Sequence, residues 1–118
     1  MDIKGQPFDY MQYMYSFVQN PIIRGCIRFN GKLQSSKLRH AIEKLASTYP
    51  ILLCKYKVQK GTWVTDPHAS CKDLLITIPA KNDFSTLEND SLLTSLKIGI
   101  DLPLKIYWIC GEEKDSLC

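Results

Sequence analysis

The 118 residues carry a formal net charge of +3, with 45% hydrophobic and 23% charged side chains. That balance suits one folded domain with a genuine core and excludes an intrinsically disordered chain. No apolar run reaches the ~20 residues that span a bilayer, and the start, MDIKGQPFDY, lacks the apolar stretch of a signal peptide, so a cytoplasmic protein is expected.

Asp9, with Gln12 three residues on, has the form of a capping box. Phe8, Met11, Met14, Tyr15 and Val18 then fall on one helical face. The stripe reads as core packing, with the lining of a substrate channel as the alternative. Asn20-Pro21 ends this helix, because the residue before proline is pushed out of the helical region. Over residues 22–29 the side chains alternate: Ile23, Gly25, Ile27 and Phe29 on one face of a strand, Arg24, Cys26 and Arg28 on the other. Beyond the Asn30-Gly31 turn, Ser35 or Ser36 caps a second helix, whose apolar face is Leu38, Ala41, Ile42, Leu45, Ala46 and Tyr49.

Pro50 stops that helix, residues 51–58 resume as a strand, and the turn at Gln59-Lys60-Gly61 returns Thr62, Trp63, Val64 and Thr65 as a hairpin. Asp66-Pro67-His68 opens a loop, and residues 74–78 form another short strand. Ser85-Thr86-Leu87-Glu88 is a second capping box, for a third helix that buries Leu92, Leu93 and Leu96 and ends at Gly99. Residues 104–110 alternate as a strand, a turn runs from Gly111 to Asp115, and Ser116-Leu117-Cys118 begins the return. These elements predict an α+β fold: a mixed β-sheet with about three helices, in a single domain over residues 1–118.

Cys26, Cys54, Cys71, Cys110 and Cys118 are separated by 28, 17, 39 and 8 residues, so no C-x-x-C pair exists for zinc or redox chemistry. Cys26, Cys54 and Cys110 lie in apolar runs, where a reduced thiol acts as a small hydrophobe. An odd count without a signal peptide argues against a disulfide framework. No metal site is read from the sequence.

Charge is unevenly placed. Residues 24–60 hold nine Lys/Arg against one acid, Glu43, while residues 61–118 hold five basic and nine acidic side chains. A basic half can attract a phosphate, an acidic protein or nucleic acid, though a solvated face that keeps the domain soluble explains it as well. Phe29, Tyr49 and Tyr56 are interleaved with these charges, but no RNP, KH or helix-turn-helix pattern accompanies them, so nucleic acid is not an expected partner.

Phosphate loops, dinucleotide fingerprints, zinc-protease motifs and the nucleophile elbow are all missing. The two histidines are weak bases by position. His40 falls on the wet face of the second helix, and His68 sits in a loop where Asp66 could pair it. Asp83, Glu88 and Asp90 cluster, but capping explains Glu88 and a solvated helix start explains the others. No catalytic residue is assigned.

The elements from RFNGKL through SSKLRHAIEKLASTYP to ILLCKYKV resemble the opening of the condensation-domain and chloramphenicol-acetyltransferase-like superfamily, nearest to its alcohol O-acetyltransferase type. Gly31 and Leu33, then Leu38, Ala41 and Ile42, then Tyr49, Pro50 and Leu52 match the family's pattern, and Pro103-Leu104 matches its Pro-Leu strand. The resemblance implies one subdomain of a two-subdomain fold and a parent activity that transfers an acyl group from acetyl-CoA, acyl-CoA or a carrier thioester to a hydroxyl or amine. Its base lies in a His-His-x-x-x-Asp-Gly motif that would follow the strand begun at Ser116. This sequence has no adjacent histidines, so the expectation is an N-terminal part without catalysis, truncated before that segment. Lys55 and Lys57 could meet coenzyme A phosphates. The expected partner is the missing C-terminal subdomain, or a second copy in a homodimer. The alternative is a freestanding, non-catalytic binding or scaffold domain.

Overall fold

A computed structural model describes residues 2–15, 17, 23–79, 83–94 and 96–118. Strand β1 (Asp2–Lys4) leads into helix α1 (Pro7–Tyr15), and after a gap in the described residues strand β2 (Ile27–Arg28) follows. Helix α2 (Ser35–Thr48), a 3-10 turn at Pro50–Leu53, and strands β3 (Cys54–Lys57) and β4 (Thr62–Thr65) come next. A second 3-10 turn (Cys71–Asp73) precedes β5 (Leu75–Pro79), helix α3 (Phe84–Leu93), β6 (Ile106–Cys110) and β7 (Asp115–Leu117). Among the described residues the α+β class with three helices holds, and the strands divide into two sheets, β1-β4-β3 and β2-β7-β6-β5, instead of the single mixed sheet expected.

The first sheet is antiparallel throughout, with Cys54 opposite Thr65 and Asp2 opposite Val64. The second is mixed. β5 and β6 run parallel across the α3 connection, while β7 pairs antiparallel with both β6 and β2. Parallel neighbours need a crossover, and α3 supplies it. No helix among the described residues is long and apolar enough to cross a membrane.

The core lies where α2 meets the start of β5. Ile42, Ala46 and Leu74 form its centre, with Leu38, Leu52, Leu53, Leu104 and Ile106 packed around them. Leu38, Ile42 and Ala46 step by four residues, giving one narrow seam. The six-residue stripe expected on α2 is thus too wide: Ala41, Leu45 and Tyr49 are exposed. The α2 cap also differs, since Gln34 precedes the helix and no side chain caps it.

Helix α1 turns the other way from its expected face. Tyr13 packs against Tyr56, whose ring lies 5.2 Å from Trp63, and Asp9 accepts a hydrogen bond from the Trp63 indole at 3.2 Å. Asp9 and Tyr13 therefore face the first sheet, leaving Phe8, Met11 and Met14 exposed. Aromatic contact and one half-buried hydrogen bond outcompete a stripe of flexible methionines. Pro7 begins the helix, and Asp9 reaches back to the Gln6 N–H at 2.7 Å instead of starting the helix itself. Val18, Asn20-Pro21 and Ile22 lie outside the described residues.

Other boundaries shift for local reasons. Residues 50–53 wind into a 3-10 turn before the β3 strand begins. Helix α3 starts at Phe84, one residue before the expected Ser85 box, and Asp83 precedes it. It ends at Leu93, and Leu93 is exposed. Gly99, at φ 93°, serves the turn between Lys97 and Asp101 instead of capping the helix. A genuine capping box occurs at Ser70 and Asp73.

Candidate functional site

Two strand pairings build the site. β7 opposes Ile27 to Leu117 and Arg28 to Ser116, so the next pair outward is Cys26 and Cys118. Their sulfurs are bonded as a disulfide, which corrects the expectation of five reduced thiols. Sequence separation of 92 residues hid the pairing. Cys54, Cys71 and Cys110 remain free, with Cys54 buried. Burial pushes the Cys110 thiol above its ordinary value.

Glu88 is not a cap. It is buried on α3 and receives a fork from Arg28, at 2.6 and 2.9 Å on Oε1 and 3.1 Å on Oε2. The Ser116 hydroxyl donates to the same carboxylate at 2.9 Å. The Arg28 hydrogen bond holds Glu88 below the usual carboxylate range against the opposing effect of burial. Cys26, Arg28, Ser116 and Cys118 thus share one sheet face above Glu88, the face the alternation assigned to Cys26 and Arg28.

The opposite face holds a second buried carboxylate. Asp115, fully buried, accepts from Lys32 Nζ at 2.6 Å, the Leu33 N–H at 2.8 Å, the Trp108 indole at 3.0 Å and the Gly111 N–H at 3.2 Å. Lys32 also donates to the Gly111 carbonyl. Burial pushes the Asp115 pKa up, but Lys32 and the N–H donors outweigh it and hold the group below its ordinary value. The sequence marked this residue only as part of a turn. Its pairing with Lys32 spans 83 residues, a distance no local pattern reveals.

Beside β2 and β7 opens a groove of about 860 Å³. Phe8 contributes from α1, Trp63 from the first sheet, and Cys26, Ile27, Leu117 and Cys118 from the second, and its walls are mainly apolar. Neither histidine reaches it. His40 is exposed on α2. His68 is exposed in its loop, and its backbone N–H, not its ring, bonds Asp66 at 3.0 Å. That N–H, with Lys55 at 3.0 Å, holds Asp66 below the ordinary carboxylate value. Asp83 and Asp90 are exposed and do not join Glu88.

Lys55 and Lys57 do share the outward face of β3, as Cys54 and Tyr56 point inward. Lys55 is neutralised by Asp66 and borders a smaller cavity of about 310 Å³ that also includes His68, Asp73 and Lys105. Tyr56 is buried and Phe29 half-buried, so neither ring stands free beside the basic stretch to stack on a base.

No protein-family model matches the chain, and no curated protein matches it. Solved structures do. A chain of the complex of the X-domain and OxyB from teicoplanin biosynthesis superimposes with a TM-score of 0.70 at 17% identity, over 98% of this chain and 26% of that one. The tallysomycin biosynthesis protein TlmII gives 0.71 at 14% identity, over 99% of this chain and 32% of that one. At such identities the likeness shows the fold. The chain spans a third or less of the solved structures it matches.

Proposed function

We propose that this chain is the N-terminal structural part of an acyltransferase of the condensation-domain and chloramphenicol-acetyltransferase-like type. The parent reaction moves an acyl group from coenzyme A or a carrier thioester to a hydroxyl or amine. The observation that carries the reading is that Leu117 and Cys118, at the end of β7, line the apolar groove. In the resembled family the base motif follows that strand, so a base placed there would meet a substrate in the groove. The base takes the acceptor's proton, the new C–O or C–N bond forms as the C–S bond breaks, and the thiol leaves protonated. This chain supplies the groove wall and not the base, because its two histidines lie elsewhere.

The test begins with the intact mass of the endogenous polypeptide, captured from its source cells. A mass several times 13.5 kDa, with His-His-x-x-x-Asp-Gly in the added sequence, supports the reading. A 13.5 kDa species removes it and leaves a binding role. Mixed with acetyl-CoA and a simple alcohol, this chain alone gives no ester; turnover by it would show a base that the groove does not contain.

A second reading is a non-catalytic binding or scaffold module of the same fold. It is favoured by the two buried carboxylates, Glu88 and Asp115, which are both spent on structural hydrogen bonds. The surface for a partner, be it another subdomain or a second copy, would then include the exposed Phe8, Met11 and Met14 of α1.

A further inference from the structure

Three donors of metal-binding type converge beside the groove: Cys26 and Cys118 line it, and Glu88 lies buried behind them. One sulfur each from Cys26 and Cys118 and one carboxylate oxygen of Glu88 all lie within 4.8 Å of one another. Among the described residues this is the one such group. We propose that, once the Cys26–Cys118 disulfide is reduced, Cys26, Cys118 and Glu88 form a three-donor site for a soft divalent cation of the Zn2+ type.

The spacing suits it. Tetrahedral zinc holds thiolate sulfur at about 2.3 Å and carboxylate oxygen at about 2.0–2.2 Å, which sets its donors about 3.6–3.8 Å apart. The donors already lie within 4.8 Å of one another. Once the S–S bond is broken, side-chain rotation of the two cysteines can open the sulfurs to the tetrahedral separation. Two thiolates select zinc or cadmium over magnesium or calcium. The fourth position faces the groove, which Cys26 and Cys118 both line, and water can fill it.

Charge also balances. Two thiolates and one carboxylate sum to −3, the cation contributes +2, and Arg28, already forked onto Glu88, contributes +1. Arg28 and Ser116 then orient the carboxylate from behind, as outer partners of metal ligands do. Arg28 Nε is shared between both Glu88 oxygens, and moving it onto Oε1 alone frees a lone pair for the metal.

The oxidised pair cannot bind, so the site is redox-gated. A dithiol reductant delivers two electrons and two protons: the S–S bond breaks, two thiols form, and the reductant becomes a disulfide. Metal binding then releases the two thiol protons. This inference stands apart from the acyl-transfer reading, since its donors need no base and no thioester.

The whole chain, reduced with a phosphine under nitrogen, is titrated with Co2+ and followed by absorbance. One equivalent gives a thiolate-to-cobalt band, Zn2+ bleaches it, and chain oxidised with diamide gives none. Cys26→Ser and Cys118→Ser each weaken binding about a hundredfold, Glu88→Gln about tenfold, and Cys110→Ser not at all. Should a variant fail to fold, alkylation mapping of the wild type decides. Zn2+ shields Cys26 and Cys118 from alkylation and leaves Cys71 and Cys110 unchanged. Absence of the cobalt band in the reduced wild type, or alkylation of Cys26 and Cys118 that ignores Zn2+, overturns the proposal.

Discussion

Replacing Asp115 with alanine strips the acceptor from Lys32, Leu33, Trp108 and Gly111 at once. The Lys32 side chain is 46% exposed, so its ammonium can return to water. The Trp108 indole cannot, because Trp108 is buried. Each buried donor left unpaired costs about 1–3 kcal/mol, and removing one partner of a buried ion pair costs about 3–5 kcal/mol. Rehydration of Lys32 trims the sum, so Asp115→Ala should lose about 3–4 kcal/mol. Lys32→Met leaves Asp115 with its three N–H donors and should lose only about 1–2 kcal/mol. Urea titration followed by tryptophan fluorescence measures both. With a slope of about 2 kcal/mol per M, the midpoint should fall by nearly ~2 M in Asp115→Ala. A fall of less than about 0.5 M, or a larger fall in Lys32→Met, would refute the idea that the N–H donors, and not the surface lysine, carry the site.

Acid should unfold the protein through the same carboxylates. Glu88 and Asp115 both titrate below their ordinary values when folded, so their stabilisation is complete above the unfolded values of about 4.3 and 3.9 and is lost as pH falls through the lower folded ones. Urea midpoints should be level from about pH 7 to 5 and drop below about pH 4.5, more shallowly in Asp115→Asn; a drop centred between pH 5 and 7 would contradict this. Leu74→Ala empties the centre of the core and should lower stability by about 2–5 kcal/mol in the same titration, a loss under about 1 kcal/mol being inconsistent with its full burial. Met11→Glu, on the exposed side of α1, should stay within about 0.5 kcal/mol of wild type. If instead it halves the apparent mass in light scattering, that face is buried between copies.

What the sequence made legible follows from range. Helix α2 and the β3–β4 hairpin were readable because their causes are neighbours: four-residue steps to Ala46, Pro50 after the last turn, and Gly61 at φ 60° in the bend. The face of α1 is not legible locally, because Phe8, Met11 and Met14 carry a helical period while the choice of face belongs to Tyr56 and Trp63, some fifty residues on. Glu88 has the local form of a cap, because Ser85 stands three residues before it. Its true partner, Arg28, is 60 residues upstream. Asp115 and Cys118 gave no local signal at all. An acid directly after a turn and a cysteine in an apolar strand are common, and only the pairing of β7 between β6 and β2 gives them their roles.

That pairing sets a timetable for synthesis. Strand β2 leaves the ribosome early, yet its neighbour in the sheet is β7, and the Cys26–Cys118 link closes across 92 residues. At about 5–20 residues per second, β2 waits about 5–18 s for its partner. During that wait α2 and the β3–β4 hairpin, whose contacts are local, can already be in place, while the Ile27–Arg28 segment has no strand to join. Nascent-chain proteolysis should therefore find β2 open to cleavage until β7 has emerged, long after the first sheet resists it.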